Sequence, residues 1–256
     1  MASESRASSL PRIRSADTRS GFARSAWLWL GLVAFLAIVE LFIVFVGAGL
    51  ENDPRATLFS WPAIAVIGVV GLAGVWLSHR TGFPAAWDPA VPLRWRIGYP
   101  SLIGIALGIF LAVADSLVHW TTTFAETSGL PSFNAPFPGS LLFYPGGAII
   151  VEVVYRLLPI PLLMWLTGFA LRGRGREMIF WILAVLTSVI EPASQDLPSL
   201  RAGTELAVAL NFAPDYLLNF VQAVFFRRSG FLSAIIVRVA FYLVWHVAYG
   251  NFICRC

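Results

Sequence analysis

The feature that most constrains this chain is a succession of apolar stretches, most of them near 20 residues long, separated by short links that carry arginine. Wound as a helix, about 20 residues span the roughly 30 Å hydrocarbon core of a bilayer, because each adds about 1.5 Å. Such stretches fall at about 26–50, 57–78, 97–118, 140–171, 178–191, 204–226 and 230–250. Composition agrees: 58 % of the 256 residues are hydrophobic and 12 % charged, against about 25 % charged in an ordinary soluble domain. No segment alternates apolar and polar residues as a barrel strand would, and no repeat of 20 to 50 residues is visible. The expectation is an all-α polytopic transmembrane bundle of about seven spans, a single unit over 25–256. Residues 1–24 are rich in Ser, Ala and Arg and offer too little apolar surface to fold alone, so they read as a disordered tail.

The net charge of +4 does not point to nucleic acid, because the arginines sit at segment ends and not on one continuous basic face. They set orientation instead. The tail (Arg6, Arg12, Arg14, Arg19, Arg24), the link with Arg80, Arg94 and Arg96, the link with Arg172, Arg174 and Arg176, and the pair Arg227 and Arg228 alternate with arginine-poor links. Positive residues favour the cytoplasmic side, which places the N-terminus inside and the C-terminus outside a plasma membrane. The parity holds if 140–171, about 48 Å of helix, counts as one crossing kinked at Pro159 and Pro161. Splitting it there gives eight spans and inverts the later orientation. All 18 positive side chains are arginine, a choice that suits lipid phosphate as well as a coding bias. The chain ends Cys254-Arg255-Cys256, which lacks the aliphatic residues of a prenylation box.

A charge in hydrocarbon is costly unless paired or hydrated, so intramembrane ionisable residues are candidate functional groups. Glu152 and Arg156 lie in the long fourth stretch, Glu191 at the end of the fifth, and Arg238 and His246 in the last, while Glu40, Asp115 and Asp215 lie in or near others. Glu152 and Arg156, four apart, share a helix face. Arg238 and His246, eight apart, also share one. Four to five of these groups are expected to meet in one polar cavity. His79 and His119 flank spans and read as interfacial, and Gly68, Gly71, Gly74, Gly104 and Gly108 form small-residue faces for close helix packing.

The run from Pro138 through Tyr144 and on through Ile149, Glu152 and Arg156 resembles the first motif, Glu-Glu-x-x-x-Arg, of the CPBP intramembrane protease family, the type II CAAX prenyl endopeptidases and their bacteriocin-processing relatives. Downstream, Phe225-Phe226-Arg227-Arg228-Ser229-Gly230-Phe231 through Arg238 resembles the aromatic, basic, basic, glycine, aromatic run that leads into that family's last catalytic helix. Thr81 through Pro89 has the flavour of a cytoplasmic loop in some members. The resemblance spans about 138–250 and is loose before it. It implies a glutamate that activates water, histidines on two further helices and an asparagine, together cleaving a peptide bond within the membrane, with zinc possible in the family.

This chain departs from the motifs at most of those positions. The first glutamate of the pair falls on Val151, the histidine of Phe-x-x-x-His on Glu191 after Thr187, and His-x-x-x-Asn on Arg238 and Tyr242. Arginine cannot ligate a metal, so no cofactor is expected, and Glu152 and Glu191 against Arg156 and Arg238 balance as two negative and two positive charges. The expectation is a CAAX-protease-like layout whose catalytic site has become a buried ion-pair network, leaving a membrane scaffold or immunity-like factor that holds a membrane protein or peptide. A retained peptidase, with Glu152 as base, an arginine at the oxyanion and His246 as proton shuttle, is the sharper form. A small transporter lined by the same charges is the alternative.

Overall fold

The computed structural model describes residues 18–50, 53–119, 121, 134–171, 174–200 and 205–254, without the side chains of 195–211. Among these residues every regular element is helical. The long helices are α1 (Thr18–Val46), α2 (Trp61–Arg80), α3 (Arg94–Val118), α4 (Ser140–Ala170), α5 (Arg176–Leu200), α6 (Glu205–Ser229) and α7 (Phe231–Phe252), with a short 3₁₀ turn, Pro54–Phe59, between α1 and α2. Six of them are long and apolar enough to cross a bilayer, and the chain is an integral membrane protein. Large apolar side chains such as Phe45, Val69, Phe110, Leu117 and Phe169 stand outward and exposed, the surface a helix offers to lipid.

α6 forms where the sequence placed a span; the side chains of its first residues, 205–211, lie outside the described residues, and the remainder, 212–229, carries Asp215, Arg227 and Arg228. One expectation changes: the helical start at Thr18 reaches back into the stretch read as a disordered tail, and residues 1–17 lie outside the described residues. Cys254 is disulfide-bonded, and Cys256 lies outside the described residues.

The long fourth segment stays one span, and its kink precedes the prolines. Over Val153–Leu157 the helix widens to a π turn, with the Leu158 N–H donating to the Val153 carbonyl at 3.2 Å. The cause is local: in a regular helix the rings of Pro159 and Pro161 would run into the carbonyls four residues earlier, those of Tyr155 and Leu157. The α geometry resumes with Leu162 donating to Leu158 at 3.0 Å. A second π turn, Arg94–Gly98, opens α3 and precedes Pro100 for the same reason. A third, Leu243–Tyr249, has no proline after it. There Asn251 Nδ2 donates to the carbonyls of His246 at 3.1 Å and Val247 at 3.3 Å, satisfying acceptors near the end of the wide turn.

α4 and α7 are the inner helices: half of each apolar stretch is buried, against 22 % in α3. One apolar cluster (Trp29, Leu36, Phe59, Leu157, Phe180, Phe226) joins α1, α4, α5 and α6, and a second (Leu111, Leu218, Phe225, Phe241) joins α3, α6 and α7. The small-residue faces are spent inside the protein. A Cβ at Gly74 would sit 2.6 Å from the Leu157 carbonyl oxygen, one at Gly104 would meet the Val237 carbonyl, and one at Gly108 would lie 2.8 Å from Val244 Cβ. Backbones approach this closely only where no side chain intervenes, and that draws α2 onto the π turn of α4 and α3 onto α7.

Candidate functional site

Between α4, α5, α6 and α7 lies a buried cluster of charge. Arg156 Nε donates to Glu152 Oε2 at 2.7 Å, and Arg156 Nη1 stands 3.5 Å from Glu191 Oε2. Arg238 Nη1 lies 2.5 Å from Glu191 Oε1. The side chains of Glu152 and Arg156 have no exposure, and those of Glu191 and Arg238 have 2 % and 3 %. Two carboxylates and two guanidiniums therefore share one site of low polarity, where an unbalanced charge would cost several kcal/mol.

α6 supplies what the two arginines need to stand side by side. Asn219 Oδ1 accepts from Arg156 Nη1 at 2.7 Å and from Arg238 Nη2 at 2.5 Å. Gln222 Oε1 accepts from Arg156 Nη2 at 3.1 Å and Arg238 Nε at 3.0 Å. Each amide thus places a carbonyl dipole between two like charges. Their NH₂ groups are fixed in turn, Asn219 to the Asp215 carbonyl at 2.8 Å and Gln222 to the Ala234 carbonyl at 3.0 Å. Arg238 Nη1 also donates to Tyr242 Oη at 2.9 Å. Every guanidinium nitrogen of the pair has a partner. Of the four carboxylate oxygens, Glu152 Oε1 alone has no hydrogen-bond partner among the described residues.

Four of the five residues singled out from the sequence meet here: Glu152, Arg156, Glu191 and Arg238. His246 does not. It sits in the π turn Leu243–Tyr249, where the wider winding breaks the α spacing on which a face shared with Arg238 was expected. There its ring stacks on Tyr144 with centroids 4.3 Å apart and planes within 7°, and Nδ1 lies 2.8 Å from Asn134 Oδ1. Tyr242 is the nearest link, hydrogen-bonded to Arg238 and edge-on to His246 at 5.0 Å between centroids.

Asn219 and Gln222 were missed because neither is ionisable, yet a signal existed. Asp215, Asn219 and Gln222 are spaced four and three apart, a polar stripe on one face of an otherwise apolar helix. Of the remaining intramembrane acids, Asp215 of α6 is close enough for its charge to act on Arg238 and Tyr242, and the other two lie elsewhere. Asp115 is buried at the end of α3, where it accepts from Thr121 N at 3.0 Å, Thr121 Oγ1 at 2.7 Å and Tyr249 Oη at 2.9 Å. Glu40 is buried on α1.

The cluster does not suit a metal. Its two carboxylates, Glu152 and Glu191, each already face a guanidinium that cannot ligate. Among the described residues no group of three His, Cys, Asp or Glu side chains is placed to hold an ion. Compared with known proteins, the chain matches no family model, no curated protein and no solved structure.

Proposed function

We propose that the chain is a divergent CPBP-like membrane protein in which the hydrolytic site has been replaced by a neutral ion-pair core, and that it works as a non-hydrolytic scaffold for a membrane protein or peptide. The observation that carries this reading is the 2.5 Å pair between Arg238 and Glu191. By the resemblance those two positions align with the histidines of the second and third motifs. A salt bridge there fills the space in which a water-polarising imidazole or a metal would stand, and it takes Oε1 of Glu191 while Oε2 faces Arg156 at 3.5 Å. The arginines are committed as well, leaving no guanidinium nitrogen without a partner to receive a developing oxyanion.

One observation favours residual peptidase activity: Glu152 Oε1 is buried and has no donor, so a water held there would find a general base. Two variants separate the readings. Purified protein is presented with membrane-proximal peptides as wild type, Glu152→Gln and Arg238→His. No cleavage by wild type supports the scaffold, and cleavage that Glu152→Gln abolishes sinks it in favour of the peptidase. Solute flux in liposomes that is lost in Glu191→Gln would point to a transporter instead.

The orientation that goes with this proposal is supported by where the arginines gather. Arg176 Nη2 donates to the Thr81 carbonyl at 2.5 Å, Arg227 pairs with Glu177 at 2.6 Å, and Arg228 stacks on Trp95. These contacts tie the ends of α2 and α6 to the starts of α3 and α5. The positive-inside bias makes this the cytoplasmic end of a protein in the plasma membrane, with the C-terminus outside.

A further inference from the structure

We infer that the arginine-rich end carries a binding site for an anionic phospholipid, built by Arg94 and Arg228 around the indole of Trp95. Of the other arginines of this end, Arg227 is taken by Glu177, Arg176 by the Thr81 carbonyl, and Arg96 is turned inward to the carbonyls of Asp88 and Val91, while Arg80 lies more loosely over Trp76, 5.2 Å from the ring centroid, and Arg174 is exposed. Arg94 and Arg228 are exposed, and among the described residues no carboxylate pairs with either. Among the described residues, the two acids of this end are occupied. Glu177 receives Arg227 and Trp181, and Asp88 Oδ1 accepts from the Ala90 amide.

The Arg228 guanidinium carbon lies 3.4 Å from the Trp95 ring centroid, and Trp95 is itself held edge-on by Tyr99, with centroids 4.5 Å apart. Stacking fixes the guanidinium plane while leaving its N–H edge outward, the arrangement that takes two oxygens of a phosphodiester. Arg94, next to Trp95 in the chain, adds a second positive charge. Deeper along the outer surface of α3, Tyr99 is 37 % and Leu102 62 % exposed, and Leu93 at its start is 61 % exposed. At 1.5 Å per residue Leu102 lies about 12 Å below Arg94, so a headgroup at the arginines sets its acyl chains against these side chains. Two guanidiniums repel a choline, so the site selects net-anionic over zwitterionic lipid. Here the all-arginine usage has a consequence, since lysine makes neither the stack nor the two-oxygen contact.

The test is native mass spectrometry of the full chain released from mixed phosphatidylglycerol and phosphatidylcholine micelles. Wild type is expected to retain phosphatidylglycerol over phosphatidylcholine. Arg94→Gln with Arg228→Gln should lower that retention by more than tenfold, at about fivefold for each arginine that meets the headgroup, and Arg228→Lys should lower it severalfold although the charge remains. Arg174→Gln removes one exposed charge at the same end without touching an indole, and should leave retention within about twofold. Equal retention of the two lipids by wild type, full retention by the double variant, or an equal loss in Arg174→Gln would each overturn the site. Neither arginine of the site makes an ion pair within the described protein, so the variants keep the fold, which a matching circular dichroism spectrum verifies.

Discussion

At the scale of single residues, a buried ion pair is fragile to losing one partner and tolerant of losing both. Arg238→Met leaves Glu191 Oε1 facing apolar surroundings and strips Asn219 and Gln222 of a donor each, so it should lower unfolding free energy by about 3–5 kcal/mol. Adding Glu191→Gln removes the orphaned charge and should restore a large part of that loss. The double-mutant cycle is read from tryptophan fluorescence during denaturation in mild detergent, and additive losses would contradict the coupling. Glu152→Gln keeps an acceptor for Arg156 Nε but leaves two guanidiniums facing one carboxylate, so it too should lower unfolding free energy, by about 3–5 kcal/mol. Outside the membrane-spanning segments, burial pushes the Asp53 carboxyl up, but the hydrogen bonds and charge of Arg55 outweigh it and hold Asp53 below the usual carboxylate range. A depressed value stabilises above the unfolded pKa of about 4 and is lost as pH falls through the folded value. The Arg55 amide, bonded to Asp53 Oδ1 at 2.9 Å, should therefore lose hydrogen-exchange protection below about pH 4, and Asp53→Asn should make its protection independent of pH in that range.

At the scale of elements, close packing at glycines holds the charged helices in register. Gly104 faces the α7 backbone that leads into Arg238, with Ala240 Cβ 2.9 Å and Phe241 N 3.0 Å from where its own Cβ would be. Gly104→Val must push α3 off α7, because those neighbours are largely backbone and cannot swing away, at a cost of about 1–3 kcal/mol. Gly147 in α4 has nothing within 4 Å of the same position, so Gly147→Ala should stabilise by about 0.5 kcal/mol through helix propensity. Thermal midpoints of the two variants should move in opposite directions, and a shared sign would contradict this packing account. Helix ends show why the sequence was legible only in part. Hydropathy located all seven long helices and the face that joins Glu152 to Arg156, because both are properties of neighbours in the chain. The kink of α4 was expected at Pro159 and Pro161, but the strain of those rings falls on the carbonyls four residues earlier, so the wide turn forms at Val153–Leu157. The depth of His246 depends on which residue of α4 lies opposite it, and no periodicity within α7 carries that information.

At the scale of the whole molecule, the crossing of the bilayer by α6 decides on which sides the two ends of the bundle emerge. The polar groups that lower its apolarity are the ones the protein itself satisfies: Asn219 and Gln222 face Arg156 and Arg238, and Gln222 also donates to Ala234 of α7. A helix whose polar atoms are bonded inside a bundle meets lipid only with its apolar flank, so it can span once its neighbours are present although it would insert poorly alone. α6 joins α7 through the single residue Gly230, whose φ of 87° and 2.8 Å Cβ approach to the Pro84 carbonyl oxygen admit only glycine comfortably. That tight turn keeps the end of α6 and the start of α7 on the same side as the link between α2 and α3. Seven crossings then place residues before α1 and after α7 on opposite sides, whereas a surface-lying α6 would place them together. Reporter fusions active on only one side of the membrane, joined before Thr18 and after Phe252, should report opposite sides. Substituting Arg156 and Arg238 together by leucine removes the partners of the α6 amides, and should lower correct insertion of α6 more than that of α5, read by glycosylation or cysteine-labelling sites placed in the links. Same-side reporters would assign α6 to the membrane surface, and with it the amides that hold the two arginines together.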